Sequence, residues 1–236
     1  MADKPAITIK SLKEQVYEYI REQLRTGKIL PGSAINLDET SRKLGVSRTP
    51  LRDALLQLEM EGFVTIHARR AVVVNSISLR DIKNCYEVIG ALESTALRQA
   101  FSRIGAAEVK TMEDLIEEMK KAIQADDFDL YYEKNLALHD VYLSLCGNEP
   151  LVRVVTTMKK RLYDFPRQRG FVKEWEQASI VEHAELLNLI KQKKAVEAAA
   201  YIRDVHWSFE VQNKFITLYY ANAENPGTRP KDWRTS

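Results

Sequence analysis

The sequence predicts a mainly α protein in two parts, a small α+β unit over residues 1–75 and an all-α antiparallel helical bundle over 76–223. Three observations carry this. Two β-branched runs, Phe63 to Ile66 and Ala71 to Val74, follow three short helical patterns and read as a hairpin. Beyond Asn75 every apolar pattern has helical period. The residues from Glu224 to Ser236, rich in Pro, Gly and charge, read as a loose tail.

In the first part, Leu12, Val16, Ile20 and Leu24 lie four apart and predict one helical stripe, closed by Thr26-Gly27. Pro31-Gly32 marks a turn. A short helix near Asp38 to Leu44 is followed by Gly45-Val46, and a helix from Ser47 to Glu61 ends at Gly62. His67 to Arg70 joins the two strands.

The second part contains six predicted helices near 78–103, 106–125, 127–146, 149–168, 171–192 and 194–221. Val109, Met112, Leu115, Ile116, Met119 and Ile123 give the cleanest stripe. Ser78 with Asp81 resembles a capping pair, and Pro150 sits in a first turn, where a missing N–H costs nothing. Cys85 and Cys146 share no motif spacing and fall on apolar faces, as reduced core thiols do.

No run approaches the ~20 uncharged apolar residues of a membrane span. The start, MADKPAITIK, lacks the apolar region of a secretory signal, so a cytoplasmic protein with no membrane partner is expected. Charge divides unevenly: through Asn75 there are 12 Lys+Arg against 9 Asp+Glu, and in the remainder 23 against 24. The first part is therefore the one suited to a phosphate backbone.

In the helix from Ser47, the residues Leu51, Ala54, Leu55 and Leu58 form the inward stripe, which leaves Arg48, Thr49 and Arg52 outward. Ser47 is expected to cap the helix. Arg48 and Arg52, four apart, can reach phosphates or the O6/N7 edge of guanine. A capped surface helix with two solvated arginines is the alternative, but the preceding short helix, the glycine turn and the basic hairpin favour a helix-turn-helix.

The segment GVSRTPLRDALLQLEMEGFV resembles the signature of the GntR family of transcriptional regulators, with similarity over about residues 10–75. The resemblance implies a winged helix-turn-helix in which Ser47, Arg48, Thr49 and Arg52 contact double-stranded operator DNA, and Arg69 and Arg70 lie on the wing. Ala71 stands where the wing usually carries glycine, and Thr40 where the first helix of the motif usually has leucine.

Three histidines fall on apolar stripes of the second part. His139 lies among Leu136, Tyr142, Leu143 and Cys146; His183 among Ile180, Leu186, Leu187 and Ile190; His206 beside Ile202 and Phe209. Asn135 is one turn before His139 on the same face. Unpaired polar groups in a core cost about 1–3 kcal/mol each, so four inward ones require mutual satisfaction, water or a metal. His183 and His206 are equally distant from the predicted Gln192-Lys193-Lys194 turn, about 17 Å at ~1.5 Å per residue, which sets them at one level of an antiparallel pair. Three imidazoles and an amide oxygen suit Zn, Ni, Mn or Fe; separate hydrogen-bonded core histidines remain the alternative.

Through YEVIGALE, NLALHDVYLSLCGNEPL and SIVEHAELLNLI, residues 78–220 resemble the FCD ligand-binding domain fused to many GntR-type regulators. Six helices are closer to its VanR than to its seven-helix FadR subgroup. The resemblance implies a metal held by Asn135, His139, His183 and His206, and a small organic acid or sugar-acid-like metabolite as effector. An arginine usual three residues before the Leu-Glu pair is Ile89 here, which implies either a less acidic effector or another cation such as Arg161 on the fourth bundle helix, with a surface role for Arg161 as the alternative. The function expected is a ligand-responsive regulator, a repressor that binds a palindromic operator as a homodimer. A metal-dependent enzyme and a DNA-binding protein without effector are the competing readings. Against the enzyme, no Asp or Glu is placed as an obvious general base except Glu182, beside His183, and its helical position, about 100° from His183, predicts a solvated side chain.

Overall fold

The computed structural model describes residues 10–67, 71–164 and 172–220. The chain divides into two compact units at the Ile77–Ser78 junction.

The first unit is a three-helix, three-strand domain. Helix α1 (Leu12–Arg25) opens with a reciprocal cap, the Ser11 hydroxyl accepting from the Glu14 N–H and the Glu14 carboxylate from the Ser11 N–H. It buries Val16, Tyr17, Ile20 and Leu24. Leu12 departs from the expected stripe: in the first turn it overhangs the core and is 56% exposed. Helices α2 (Leu37–Leu44) and α3 (Arg48–Met60) enclose Gly45, which ends α2 in the left-handed conformation at φ 65°. A Cβ there would meet nothing, so backbone conformation alone favours glycine.

α3 turns Leu51, Ala54, Leu55 and Leu58 into the core against Val16, Ile20 and Phe63. No residue of α2 is fully buried; Leu37 and Leu44 pack at the core's margin, and Thr40 is half-buried where leucine was the family's usual choice. The sheet has order β1-β3-β2, with β1 (Ala34–Ile35), β2 (Val64–Ile66) and β3 (Val72–Val74) all antiparallel. The expected hairpin is therefore joined by a third strand on the far side of β3. Arg69 and Arg70 lie outside the described residues, as does the segment from Glu224 to Ser236.

The second unit is all helical: α4 (Leu79–Ala100) with a short 3₁₀ extension, α5 (Ala106–Gln124), α6 (Phe128–Leu145), α7 (Glu149–Asp164), α8 (Lys173–Lys191), α9 (Ala195–Tyr201) and α10 (Phe209–Tyr220). Ser78 and Asp81 form the expected reciprocal cap of α4. α5 packs on α6 and α8, while α4 packs on α6 and α9. Cys85 and Cys146 are free and buried.

The sixth predicted helix is interrupted. A π-turn, Ile202–His206, separates α9 from α10, and the Trp207 N–H reaches back to the Ile202 carbonyl at 3.0 Å. The extra residue rotates His206 and Trp207 towards α4. Gly90 of α4 permits the approach, since a Cβ there would lie 3.0 Å from the Trp207 Cβ.

Candidate functional site

Each unit carries one set of candidate residues. In the first, Arg48, Thr49 and Arg52 are exposed on the face of α3 opposite its buried stripe. Ser47 does not cap the helix with its side chain, contrary to expectation, so the first-turn N–H groups are left for other acceptors. Arg48 pairs with Asp38 of α2 at 2.5 Å, with both side chains exposed.

In the second unit, α6, α8 and the π-turn bring His139, His183 and His206 together, with one nitrogen of each within 4.8 Å of the others. The ring centroids are 5.2, 5.0 and 4.7 Å apart. His139 and His183 are fully buried, and the His206 side chain is 9% exposed. Nε2 of His139 and Nε2 of His183 face each other at 3.2 Å. That spacing fits two nitrogens each about 2.1 Å from a common ion. Asn135, one helical turn before His139, is buried and its Oδ1 has no hydrogen-bond partner. An orphaned amide oxygen beside converging imidazoles fits a fourth ligand.

Two carboxylates orient the cluster. Glu93 of α4, fully buried, lies 2.8 Å from His139 Nδ1 through the Oε2 that also accepts from Tyr142 and Trp207. Glu182 of α8 lies 2.8 Å from His206 Nδ1 and accepts from Gln212 at 2.7 Å. Its side chain is 13% exposed. The expectation of a solvated Glu182 is thus overturned, because the π-turn carries His206 onto it. With a proton fixed on each Nδ1, Nε2 of His139 and of His206 presents a lone pair, the arrangement that metal-binding histidines use.

Electrostatics agree with this. Burial, against the pull of Glu93, lowers the His139 pKa from 6.5 to about 4. Burial, then the charges of His206 and His139, takes His183 well below its ordinary value. Both imidazoles are neutral at pH 7, as ligation requires. Burial opposes ionisation of Glu93, but the positive charges facing it, His139 when protonated and Lys159, hold its carboxyl well below the usual range. With His139 neutral, the buried Lys159 of α7 is the standing counter-charge, in an ion pair with Glu93 Oε1.

Arg161, two residues on, is half-buried, and its Nε lacks a hydrogen-bond partner. Its field reaches Cys85 and Asp81. Lys159, Glu93, Gln212 and Trp207 escaped the sequence reading; the one available signal was Lys159 on an otherwise apolar row, with Leu151, Val155 and Leu162.

Comparison with known proteins agrees with both halves. Residues 12–74 match the bacterial regulatory proteins of the gntR family, and residues 84–206 match the FCD domain. The chain is 28% identical to the Nta operon transcriptional regulator of Aminobacter aminovorans over 83% of this chain and 94% of that protein. It is 23% identical to the HTH-type transcriptional regulator YdhC of Bacillus subtilis, over 80% and 84% of the two chains. Among solved structures, E. coli McbR/YncC superposes with a TM-score of 0.70 at 19% identity, covering 91% of this chain and all of the other, which is a likeness of fold. Among the described residues no helix is long and apolar enough to cross a membrane. With a GntR-type winged helix-turn-helix in front of an FCD helical domain, this chain belongs to the FCD-containing GntR family of DNA-binding transcriptional regulators and is not an enzyme.

Proposed function

We propose that this regulator senses a small organic acid or sugar-acid-like metabolite at a divalent transition metal, Zn, Ni, Mn or Fe, held by His139, His183, His206 and Asn135. The observation that carries the reading is the set of three imidazoles whose ligand atoms lie within 4.8 Å, two of them oriented by buried or nearly buried carboxylates. Such a donor set holds an ion of this class and leaves positions for an oxygen-bearing ligand. The bound ion supplies Lewis acidity; Glu93 and Glu182 fix the imidazole tautomers, and Asn135 adds a neutral oxygen.

On the DNA side, Ser47, Arg48, Thr49 and Arg52 enter the major groove of a palindromic operator, Arg69 and Arg70 extend the contact as the wing, and the protein acts as a homodimeric repressor. Arg161 is a candidate for a further effector contact.

Purified protein is expected to carry about one metal ion per chain, and the His183→Ala/His206→Ala protein to lose it. Thermal-shift screening of small organic acids identifies a ligand, which by linkage changes operator affinity typically 5- to 150-fold. His139→Ala should abolish that change. If metal-free His139→Ala protein still responds to the ligand, sensing does not occur at the metal.

A further inference from the structure

We propose that Glu59 is a positioning residue for DNA recognition: its carboxylate braces the wing strand β2 against the recognition helix α3, so that helix and wing meet the operator as one rigid surface. The inference rests on the DNA contacts read above for α3 and the wing. Glu59 stands in the last turn of α3, which holds no basic residue. The negative end of the helix dipole repels an anion there, so the helix by itself gives no reason for a glutamate.

The carboxylate holds a backbone donor of the wing stem. Its Oε1 accepts from the Ile66 N–H at 2.7 Å, and the contact is partly shielded from water. In the order β1-β3-β2, β2 is an edge strand. The His67 N–H donates across the hairpin to the Ala71 carbonyl at 2.8 Å, so by the alternation of an antiparallel ladder the Ile66 N–H faces the open edge. Ile66 is half-buried, and a shielded N–H left without an acceptor is costly. A carboxylate from α3 thus stands where the next strand would be, and an ionised acceptor makes the stronger kind of bond.

The other bonds of the hairpin lie elsewhere. Asn75, just after β3, accepts from the Thr65 hydroxyl at 2.8 Å and donates to the Gly62 carbonyl at 3.0 Å, while its N–H reaches the Phe63 carbonyl at 2.9 Å. β1 pairs with β3 at Val73 and Val72. These contacts fix the root and the plane of the hairpin. Its tilt against α3 is set near Ile66, where Glu59 makes the one side-chain hydrogen bond from α3 to β2 among the described residues. Glu59 follows Arg52 by seven residues, so the two side chains leave α3 within about 20° of one another. The brace therefore ties the wing stem to the row of α3 that carries Arg52.

The test uses full-length protein and an operator duplex that wild type selects from a randomised DNA library, with affinity measured by fluorescence anisotropy over a range of salt concentrations. Glu59→Gln keeps an acceptor oxygen at the same reach and removes the charge, whereas Glu59→Asp keeps the charge and withdraws it by one methylene. Glu59→Gln should bind within ~3-fold of wild type or more tightly, and Glu59→Asp and Glu59→Ala ~10-fold or more weakly. In the two weakened variants the log–log salt slope should fall by about 1 as phosphate contacts of the wing are lost. Were Glu59 felt by DNA only through its charge, the order would reverse: Glu59→Gln and Glu59→Ala would bind more tightly and Glu59→Asp as wild type. Urea midpoints establish that each variant is folded, and Glu59→Asp decides the outcome if Glu59→Ala does not fold. Wild-type affinity or an unchanged salt slope in folded Glu59→Asp overturns the proposal, as does a loss in Glu59→Gln equal to that in Glu59→Asp. If wild type selects no duplex, or Arg48→Ala and Arg52→Ala both bind it undiminished, the reading of α3 as the DNA-contacting helix falls; arginine-dependent binding that is indifferent to residue 59 overturns only this inference.

Discussion

The Nδ1 of His206 lies 2.8 Å from Oε2 of Glu182, and the other oxygen of that carboxylate accepts from Gln212, which in turn accepts from Trp175 at 3.0 Å. One metal-ligand candidate is thus tied through two side chains to the start of α8 and to α10. A carboxylate behind a histidine fixes its tautomer and makes Nε2 more basic. Glu182→Gln keeps the shape and removes the charge. Metal affinity, measured by competition with a chromophoric chelator, should fall about 10- to 100-fold with unchanged helical content. Unchanged affinity would show that His206 does not ligate or needs no orienting partner.

Gly90 predicts a second effect. Alanine favours a helix interior over glycine by about 1 kcal/mol, yet its Cβ here would meet the Trp207 Cβ at 3.0 Å and the Arg203 Cα and carbonyl oxygen at 3.5 Å. Overpacking of this kind costs about 1–3 kcal/mol, and it falls on the π-turn that positions His206. Gly90→Ala should therefore lower the urea midpoint modestly and weaken metal binding. A raised midpoint with normal metal affinity would mean that the turn yields freely.

The contrast between these residues and the rest of the fold shows what a sequence makes legible. α1, α3 and the two hairpin strands announce themselves because apolar period, Gly45 and Gly62 all agree. β1 is two residues long with only Ile35 buried, too short for any period to register. The π-turn is hidden because Ile202, His206 and Phe209 keep helical spacing across it. The imidazoles were visible as polar residues on apolar stripes. Glu93 and Lys159 were not, and Glu182 read as solvated, since a charged side chain read alone belongs in water, and its partner is 46 residues away for Glu93–His139 and 24 for Glu182–His206.

On the DNA-binding unit, the exposed Arg48–Asp38 pair is weak enough to exchange for a phosphate or base contact. Arg48→Ala and Arg52→Ala should each weaken operator binding by about 1–3 kcal/mol if they read bases, with the fold intact. Asp38→Asn, which removes a negative charge facing the same groove, should not weaken binding. Gel-shift titrations with unchanged affinity in both arginine variants would remove α3 as the reading helix.

The burial of His139 and His183 also sets how the metal-free protein responds to acid. In an unfolded chain both imidazoles titrate near pH 6.5. In the fold, burial holds His139 at about 4 despite Glu93, and burial with the neighbouring imidazoles takes His183 well down. As pH falls below 6.5 the unfolded chain takes up protons that the fold refuses, so unfolding becomes easier. For His139 the loss ends only below its folded pKa, and the gap between 6.5 and about 4 corresponds to about 3 kcal/mol in full. Glu93, held well below its ordinary range, loses its contribution only at lower pH still, so the window from 7 to 5 reports the histidines. Urea unfolding of chelator-treated protein should show stability falling from pH 7 to pH 5, and His183→Leu, which removes one titrating site, should show a shallower fall. Stability that is level across this window would mean that the two imidazoles accept protons inside the fold, and with that the case for a preformed neutral ligand set would be lost.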